Sequence, residues 1–292
     1  MIITHKIAGL TATLTTALSL LAAPAMAFSV GATNNTETLK NNLLGTNTAG
    51  LSNFSVSITG NSAAFGTFTN DPFGLTSGVV LSTGRVTDIP GQNRKDNFTT
   101  QDSDLSTDFG AKGEQGDLTQ LNLSFFANST VEKLFFQYVF ASEEFPEFGG
   151  SKYNDDFELL LNGTNLAKLS DGKRVTINNL VPDPYNRSKD HPDYINNPSL
   201  TGIAANIVKL DGFTKVLGFE GLLKQNQTNV LSIRIKDVGD GKLDSAVFIQ
   251  GGSVGTVQPE PVPEPMTVGG LMAGGAMLAA GRKLRNRRGG SN

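Results

Sequence analysis

Leu134-Phe-Phe-Gln-Tyr-Val-Phe-Ala141 is the stretch on which the fold turns. Successive side chains of an extended chain point to opposite sides. Leu134, Phe136, Tyr138 and Phe140 therefore share one face, and Phe135 and Val139 the other. A strand apolar on both faces is expected at the centre of a sheet that is covered on both sides. Outward from it, shorter runs repeat the same alternation: Phe54, Val56 and Ile58; Leu121, Leu123 and Phe125; Phe157 to Leu161; Val175 and Ile177; Leu231, Ile233 and Ile235; Ala246 to Ile249. Turn chemistry separates them, most clearly at Asn162-Gly163, Asp171-Gly172, Asp211-Gly212 and Asp240-Gly241. Glu37 to Leu44 reads as a helix, capped by Thr36 and stopped by Gly45. Many strands, few helices and Gly-rich turns predict an all-β domain, a sandwich or jelly roll with one short N-terminal helix. Asp88 to Gly116 and Val181 to Ser199 read as long irregular loops, the places where binding sits on a β scaffold.

Both ends of the chain read differently from the middle. Lys6 precedes an uncharged stretch from Ile7 to Ala23, Pro24 breaks it, and Ala25 and Ala27 stand at the two positions a signal peptidase reads. Residues 1–27 are thus expected to be a secretory signal, with the mature domain over 28–257. Residues 258–265 carry Pro259, Pro261, Pro263 and Pro265 and read as an extended Pro/Glu-rich spacer. Met266 to Gly281 then runs sixteen residues without charge, closed by Arg282, Lys283, Arg285, Arg287 and Arg288. As a helix that run spans about 24 Å against an apolar layer of about 30 Å, a gap that flanking residues and snorkelling Arg side chains close. Residues 266–292 are therefore expected to form a membrane-spanning segment, its basic end cytoplasmic and the large domain outside.

The composition narrows the chemistry. There is no Cys and no Trp, and His191 is the one His beyond the signal, which argues against disulfides and against zinc held by Cys or His. All 27 acidic residues lie between Phe28 and Pro265 against 18 Lys and Arg, a net charge of −9. That balance argues against nucleic-acid binding and is compatible with divalent cations.

Two acidic clusters stand out, Glu143, Glu144, Glu147, Asp155 and Asp156 in one and Asp237, Asp240 and Asp244 in the other. Both follow strong strands, so they are expected to meet at one edge of a sandwich. Hard cations such as Ca²⁺ take six to eight oxygens, and Glu143, Glu144, Asp155, Asp156, Asp237, Asp240 and Asp244 are the candidate ligands. The competing reading has these carboxylates capping turns or pairing with Lys152 and Arg234. Glu144 and Asp156 are also the conceivable pair for a glycan-cleaving enzyme, which needs two carboxyl groups about 5–10 Å apart across a sugar groove. A Ser-His-Asp site would have to use His191, which reads as a surface residue of a Pro- and Asp-rich loop. The expectation is a protein without catalytic activity.

Tyr138 through Asp155, continuing to Asn162-Gly163, resembles the signature of the choice-of-anchor L domain. Ser77 to Gly84, Asp211 to Thr214 and Asp237 to Phe248 resemble three further segments of that family, in order. Pro263-Glu264-Pro265, the apolar span and the Arg cluster resemble the PEP-CTERM sorting signal of Gram-negative bacteria. The resemblances imply export, recognition by an exosortase-type membrane enzyme, an inner-membrane intermediate, and a final place at the cell surface or in the extracellular matrix. The function expected is non-catalytic binding or structure, with extracellular polysaccharide or surface proteins as partners. A secreted glycan-cleaving enzyme is the alternative.

Overall fold

In a computed structural model the chain is described over residues 27–95, 103–110 and 115–262. The strands, in chain order, are β1 Ser29–Ala32, β2 Leu51–Thr59, β3 Phe65–Thr69, β4 Ser77–Ser82, β5 Gln115–Ala127, β6 Lys133–Ser142 and β7 Asp156–Leu161. They continue as β8 Thr164–Asn165, β9 Tyr194–Asn196, β10 Gly212–Thr214, β11 Leu217–Leu222, β12 Gln227–Val238 and β13 Ser245–Gln250. Two short helices, α1 Thr36–Leu43 and α2 Ile177–Leu180, accompany them. The strands form two antiparallel sheets, one in the order β1-β3-β4-β13-β6-β10-β9 with β11 also on β6, the other in the order β2-β5-β12-β7-β8.

The strand that begins at Lys133 is central, as its two apolar faces require. β13 pairs along one side of it; β11 and then β10 pair along the other. Leu134, Phe136, Tyr138 and Phe140 face the gap between the sheets, where they meet Leu121, Leu123 and Phe125 of β5, Phe157, Leu159 and Leu161 of β7, and Leu231, Ile233 and Ile235 of β12. Val139 and Ala141 point the other way, into a second core with Phe28, Phe68, Phe73, Phe213 and Phe248. Connecting segments supply the cover there, through Val86, Ile89, Leu105, Ala204, Val208 and Leu210. The second sheet is buried on one face only; its outer face carries Asn122, Glu158, Ser232 and Arg234, all partly accessible.

The helix opens one residue earlier than its sequence predicts. Asn35, not Thr36, caps it, accepting the Thr38 N–H at 2.9 Å, and Leu44 closes it as the C-cap. Leu39 and Leu43 anchor it in the core. The turn at Asn162-Gly163 joins β7 to β8 with φ of 52° and 89°, the two positive angles that a two-residue turn of this hand demands. Three other expectations are corrected. Val175 to Ile177 do not form a strand, because the Thr176 side chain accepts the Asn179 N–H and starts α2. Asp211-Gly212 is not a turn: Gly212 opens β10, paired with Ser142 on one side and Asn196 on the other. The stretch from Val181 to Ser199 is not wholly irregular, since Tyr194–Asn196 forms the edge strand β9.

Residues 258–262 have no regular structure, and the Gln137 side chain donates to the Glu260 carbonyl at 3.0 Å. Ala25 and most of the expected signal, together with Pro263, Glu264, Pro265 and the expected membrane-spanning segment, lie outside the described residues. No helix among the described residues is long and apolar enough to cross a membrane.

The second core makes a stability prediction. Phe248 is fully buried and its ring lies 4.8 Å from that of Phe73 and 5.3 Å from that of Phe68. Phe248→Ala is expected to cost roughly 3–5 kcal/mol in a urea unfolding curve. A cost below about 1 kcal/mol would mean that the loops do not pack on this face.

Candidate functional site

Six strands carry an inward-facing row into the gap between the sheets, and at one end of the gap every row changes from carbon to oxygen. In β4 the row runs Val79, Leu81 and then Thr83 just past the strand; in β13, Ile249, Val247, Ser245; in β6, Tyr138, Phe140, Ser142. In the facing sheet β7 runs Leu159, Phe157 and then Asp155, β12 runs Ile233, Ile235, Asp237, and β5 runs Leu121, Thr119, Asp117. Registry places these ends together: Ala246 pairs with Ser82, Ser245 with Ser142, and Ile235 with both Phe157 and Thr119. Asp155 and Asp237 are each 1 % exposed and Asp117 is 5 % exposed.

A hydrogen-bonded chain joins the two sheets at this point. Ser245 Oγ lies 2.6 Å from Asp155 Oδ2 and 2.8 Å from Ser142 Oγ, and the Val238 N–H donates to Asp155 Oδ1 at 3.0 Å. Thr83 accepts the Ser245 N–H at 2.9 Å. Around this chain stand Glu143, Glu144 and Asp244, all buried. The Glu143 carboxylate accepts the N–H groups of Asp104 and Leu105, and Asp244 accepts that of Thr107 at 2.7 Å, so segment 103–110 is tied to the end of the sandwich through acids. Gly84 is demanded by the same crowding, for a Cβ there would strike the Asp244 carboxylate.

Bringing carboxylates together out of water raises their pKa values, since neither water nor an opposite charge stabilises the anions. Burial first, then the charges of Asp155 and Asp240, pushes Glu144 up to about 10. Burial pushes Asp155 up to about 7 against the hydrogen bonds from Ser245 and Val238, and raises Asp244 to about 7 as well. Burial and the charges of Asp155, Asp244 and Asp117 carry Asp237 well above the carboxylate range. The Thr83 hydroxyl works against that rise, yet neither oxygen of Asp237 accepts a well-formed hydrogen bond, nor does Glu144 Oε2 or Asp244 Oδ2. The charges acting most on these four residues all belong to other carboxylates. Even so, among the described residues no three acidic or imidazole groups stand together as a ready-made metal cage.

The model of the choice-of-anchor L domain matches residues 29–255. The chain belongs to this family. No curated protein and no solved structure matches it. The four segments that carry the family resemblance in the sequence converge on the acidic end of this choice-of-anchor L domain. Ser77 to Gly84 delivers Thr83 and Gly84, the segment from Tyr138 delivers Ser142, Glu143, Glu144 and Asp155, and Asp237 to Phe248 delivers Asp237, Asp240, Asp244 and Ser245. Asp211 to Thr214 forms β10 against the same end of β6.

Among the seven candidate ligands, Asp156 turns to the opposite face of the second sheet from Asp155. It follows Asp155 directly, and in an extended chain that reverses its direction. It lies on the outer face of the second sheet, where both its oxygens accept from Arg174 at 2.7 and 2.8 Å. Glu158 lies between Arg174 and Arg234 on that face, so Arg234 pairs with a carboxylate outside the two acidic clusters. Asp240 is half-buried and adds its charge to Glu144 and Asp155. His191 is not a surface residue. It is buried, with Nδ1 accepting the Asp193 N–H at 3.1 Å and Nε2 3.3 Å from Asp171. The Ser170 hydroxyl, close by in the fold, donates to Asp193. Asp117, Thr83, Ser142 and Ser245 escaped the sequence reading. Their signal was there, in the period of two carried past the last apolar residue of each strand.

The raised pKa values set a pH dependence. Unfolded Asp titrates near 4, whereas Asp155 and Asp244 titrate near 7 in the fold. Between these values the folded state holds more protons than the unfolded one, so stability falls as pH rises. Protein freed of divalent cations is expected to melt several degrees lower at about pH 7 than at about pH 5. A melting temperature that rises over this interval would contradict the burial of these acids.

Proposed function

We propose that this protein is exported and acts at the cell surface or in the extracellular matrix, by binding or structural support rather than by catalysis. Membership of the choice-of-anchor L family over residues 29–255 carries this reading, because such domains are typical of anchored and exported bacterial proteins. The signal-like stretch before Phe28 and the PEP-CTERM-like tail, with Pro263, Glu264, Pro265 and the basic cluster from Arg282 to Arg288, support it from the sequence. An exosortase-type enzyme would process the tail at the inner membrane. The partner contacted outside is extracellular polysaccharide or another surface protein, met by the loops at the acidic end of the sandwich. The burial of Glu144 and the binding of Asp156 to Arg174 on an outer face count against the glycan-cleaving alternative.

Fractionation tests the export reading. The wild-type protein is expected outside the cytoplasm in a shortened form. The triple variant Pro263→Ala, Glu264→Ala, Pro265→Ala is expected to accumulate as a longer, membrane-associated precursor. Cytoplasmic wild-type protein would overturn export, and identical processing of the two would overturn sorting through this tail. Cosedimentation with the producing organism's own exopolysaccharide is expected; its absence would leave a protein partner or a structural role.

A further inference from the structure

We propose that Asp237, with Asp244, Asp117 and the hydroxyl and main-chain oxygens around them, binds one hard divalent cation, Ca²⁺ in preference to Mg²⁺. The inference stands on Asp237. Its carboxylate ends the inward row of β12, is 1 % exposed, and accepts no well-formed hydrogen bond on either oxygen, although the Thr83 hydroxyl lies near it. Asp244, also 1 % exposed, leaves Oδ2 without a partner beside Gly84. A carboxyl group in that position has two ways to avoid an unpaired buried charge. It takes up a proton, or it shares a cation with its neighbours. Protonation silences one group at a time. A single cation neutralises several carboxylates together and fills lone pairs left without a well-formed hydrogen bond.

The donor chemistry selects the ion. Carboxylates from β5, β12 and the β12–β13 connection, with hydroxyls of Thr83 and Ser245 nearby, make an all-oxygen environment without thiolate or imidazole. That is the chemistry of Ca²⁺ and Mg²⁺, not of zinc. Mg²⁺ demands a near-octahedral shell and keeps several waters, whereas Ca²⁺ accepts six to eight oxygens in irregular geometry. A water-excluded end built from several strands and a loop suits the second ion. Since no three acidic groups stand together among the described residues, binding would require the carboxylates to draw in around the ion.

Asp155 has a different part. Both its oxygens are engaged, by Val238 and Ser245, so it is a positioning residue that fixes the end of β12 against β13. Asp244 also receives the Thr107 N–H, and its own main chain bonds Leu105 and Glu143. A cation on Asp244 and Asp237 would therefore latch segment 103–110 and the β12–β13 connection to the sandwich. It would stiffen the loops to which the proposed function assigns partner contact.

Metal content and melting temperature of the full chain test this directly. Protein stripped with EDTA is dialysed against Ca²⁺ or Mg²⁺ up to about 10 mM, a range that covers extracellular Ca²⁺ modules. One Ca²⁺ per chain is expected, with a rise in melting temperature of roughly 3–6 °C at ten times Kd and a smaller rise with Mg²⁺. Asp237→Asn is expected to lose the bound ion and the rise, and to melt no lower than the stripped wild type, because it removes a repelled charge. Asp244→Asn is expected to behave alike, and Asp156→Asn to keep the full response. No bound Ca²⁺ and no rise in the wild type would overturn the site, whatever the variants do. Retention of the wild-type response by both Asp237→Asn and Asp244→Asn would place the ion elsewhere and overturn the assignment. Equal responses to the two ions would overturn the preference for Ca²⁺. Localisation plays no part in these readouts, so failure of the export reading and failure of the cation site are separately visible.

Discussion

The gap between two β-sheets has to end, and the way it ends governs much of this molecule. Along most of its length the gap is filled by Leu, Ile, Val and Phe from both sheets. At one end the same rows continue as Thr83, Ser142, Ser245, Asp117, Asp155 and Asp237 without becoming exposed. Oxygen atoms buried this way must find partners, because a polar group without one costs several kcal/mol or less according to its surroundings, and an isolated charge far more. The Ser142–Ser245–Asp155 chain meets that demand for the hydroxyls and joins the two sheets. The carboxylates draw in backbone N–H groups from the segment around Leu105 and Thr107. The loop order at this end is thus a consequence of acid burial.

A second constraint comes from β6. Because its strand is apolar on both faces, the first sheet cannot leave its outer face to water. The connections after β4 and around Ala204 to Leu210 fold back over it, and Phe28 joins them from the start of β1. Polar loops that read as free surface are therefore partly pinned, each by one or two apolar residues such as Ile89 or Val208. With no Cys available, these two packed layers of side chains do the work that cross-links do in smaller exported domains.

The acidic end was partly legible beforehand. Two acidic groups after two strong strands were expected to meet; Asp155 lies near enough to Glu144, Asp237 and Asp244 for charge to act between them, but no three acids close on one point among the described residues. Asp156 was misplaced by one step of the alternation, the smallest displacement that changes its face. Thr83, Ser142 and Ser245 were overlooked because hydroxyl residues are common throughout this Ser- and Thr-rich chain. Nothing local marks three of them as buried. His191 was read as exposed for a similar reason: its neighbours Pro192 and Asp190 look like surface, yet the Leu180 carbonyl accepts its N–H and the loop closes over it.

The sequence by itself determined the β architecture, the central strand, the turn at Asn162-Gly163 and the family, because alternation and turn chemistry act over a few neighbouring residues. It determined the acidity of the domain as well. Only the tertiary structure decided which strands stand side by side, and hence that six inward rows reach the same end of the gap. It decided that Val175 to Ile177 coil into a helical turn and that Gly212 opens a strand, through contacts with residues far along the chain. It also decided which carboxylates leave water. Burial of a charge depends on what folds over it, and around Asp237 stand Asp155, Thr83 and Asp117, all distant from it along the chain.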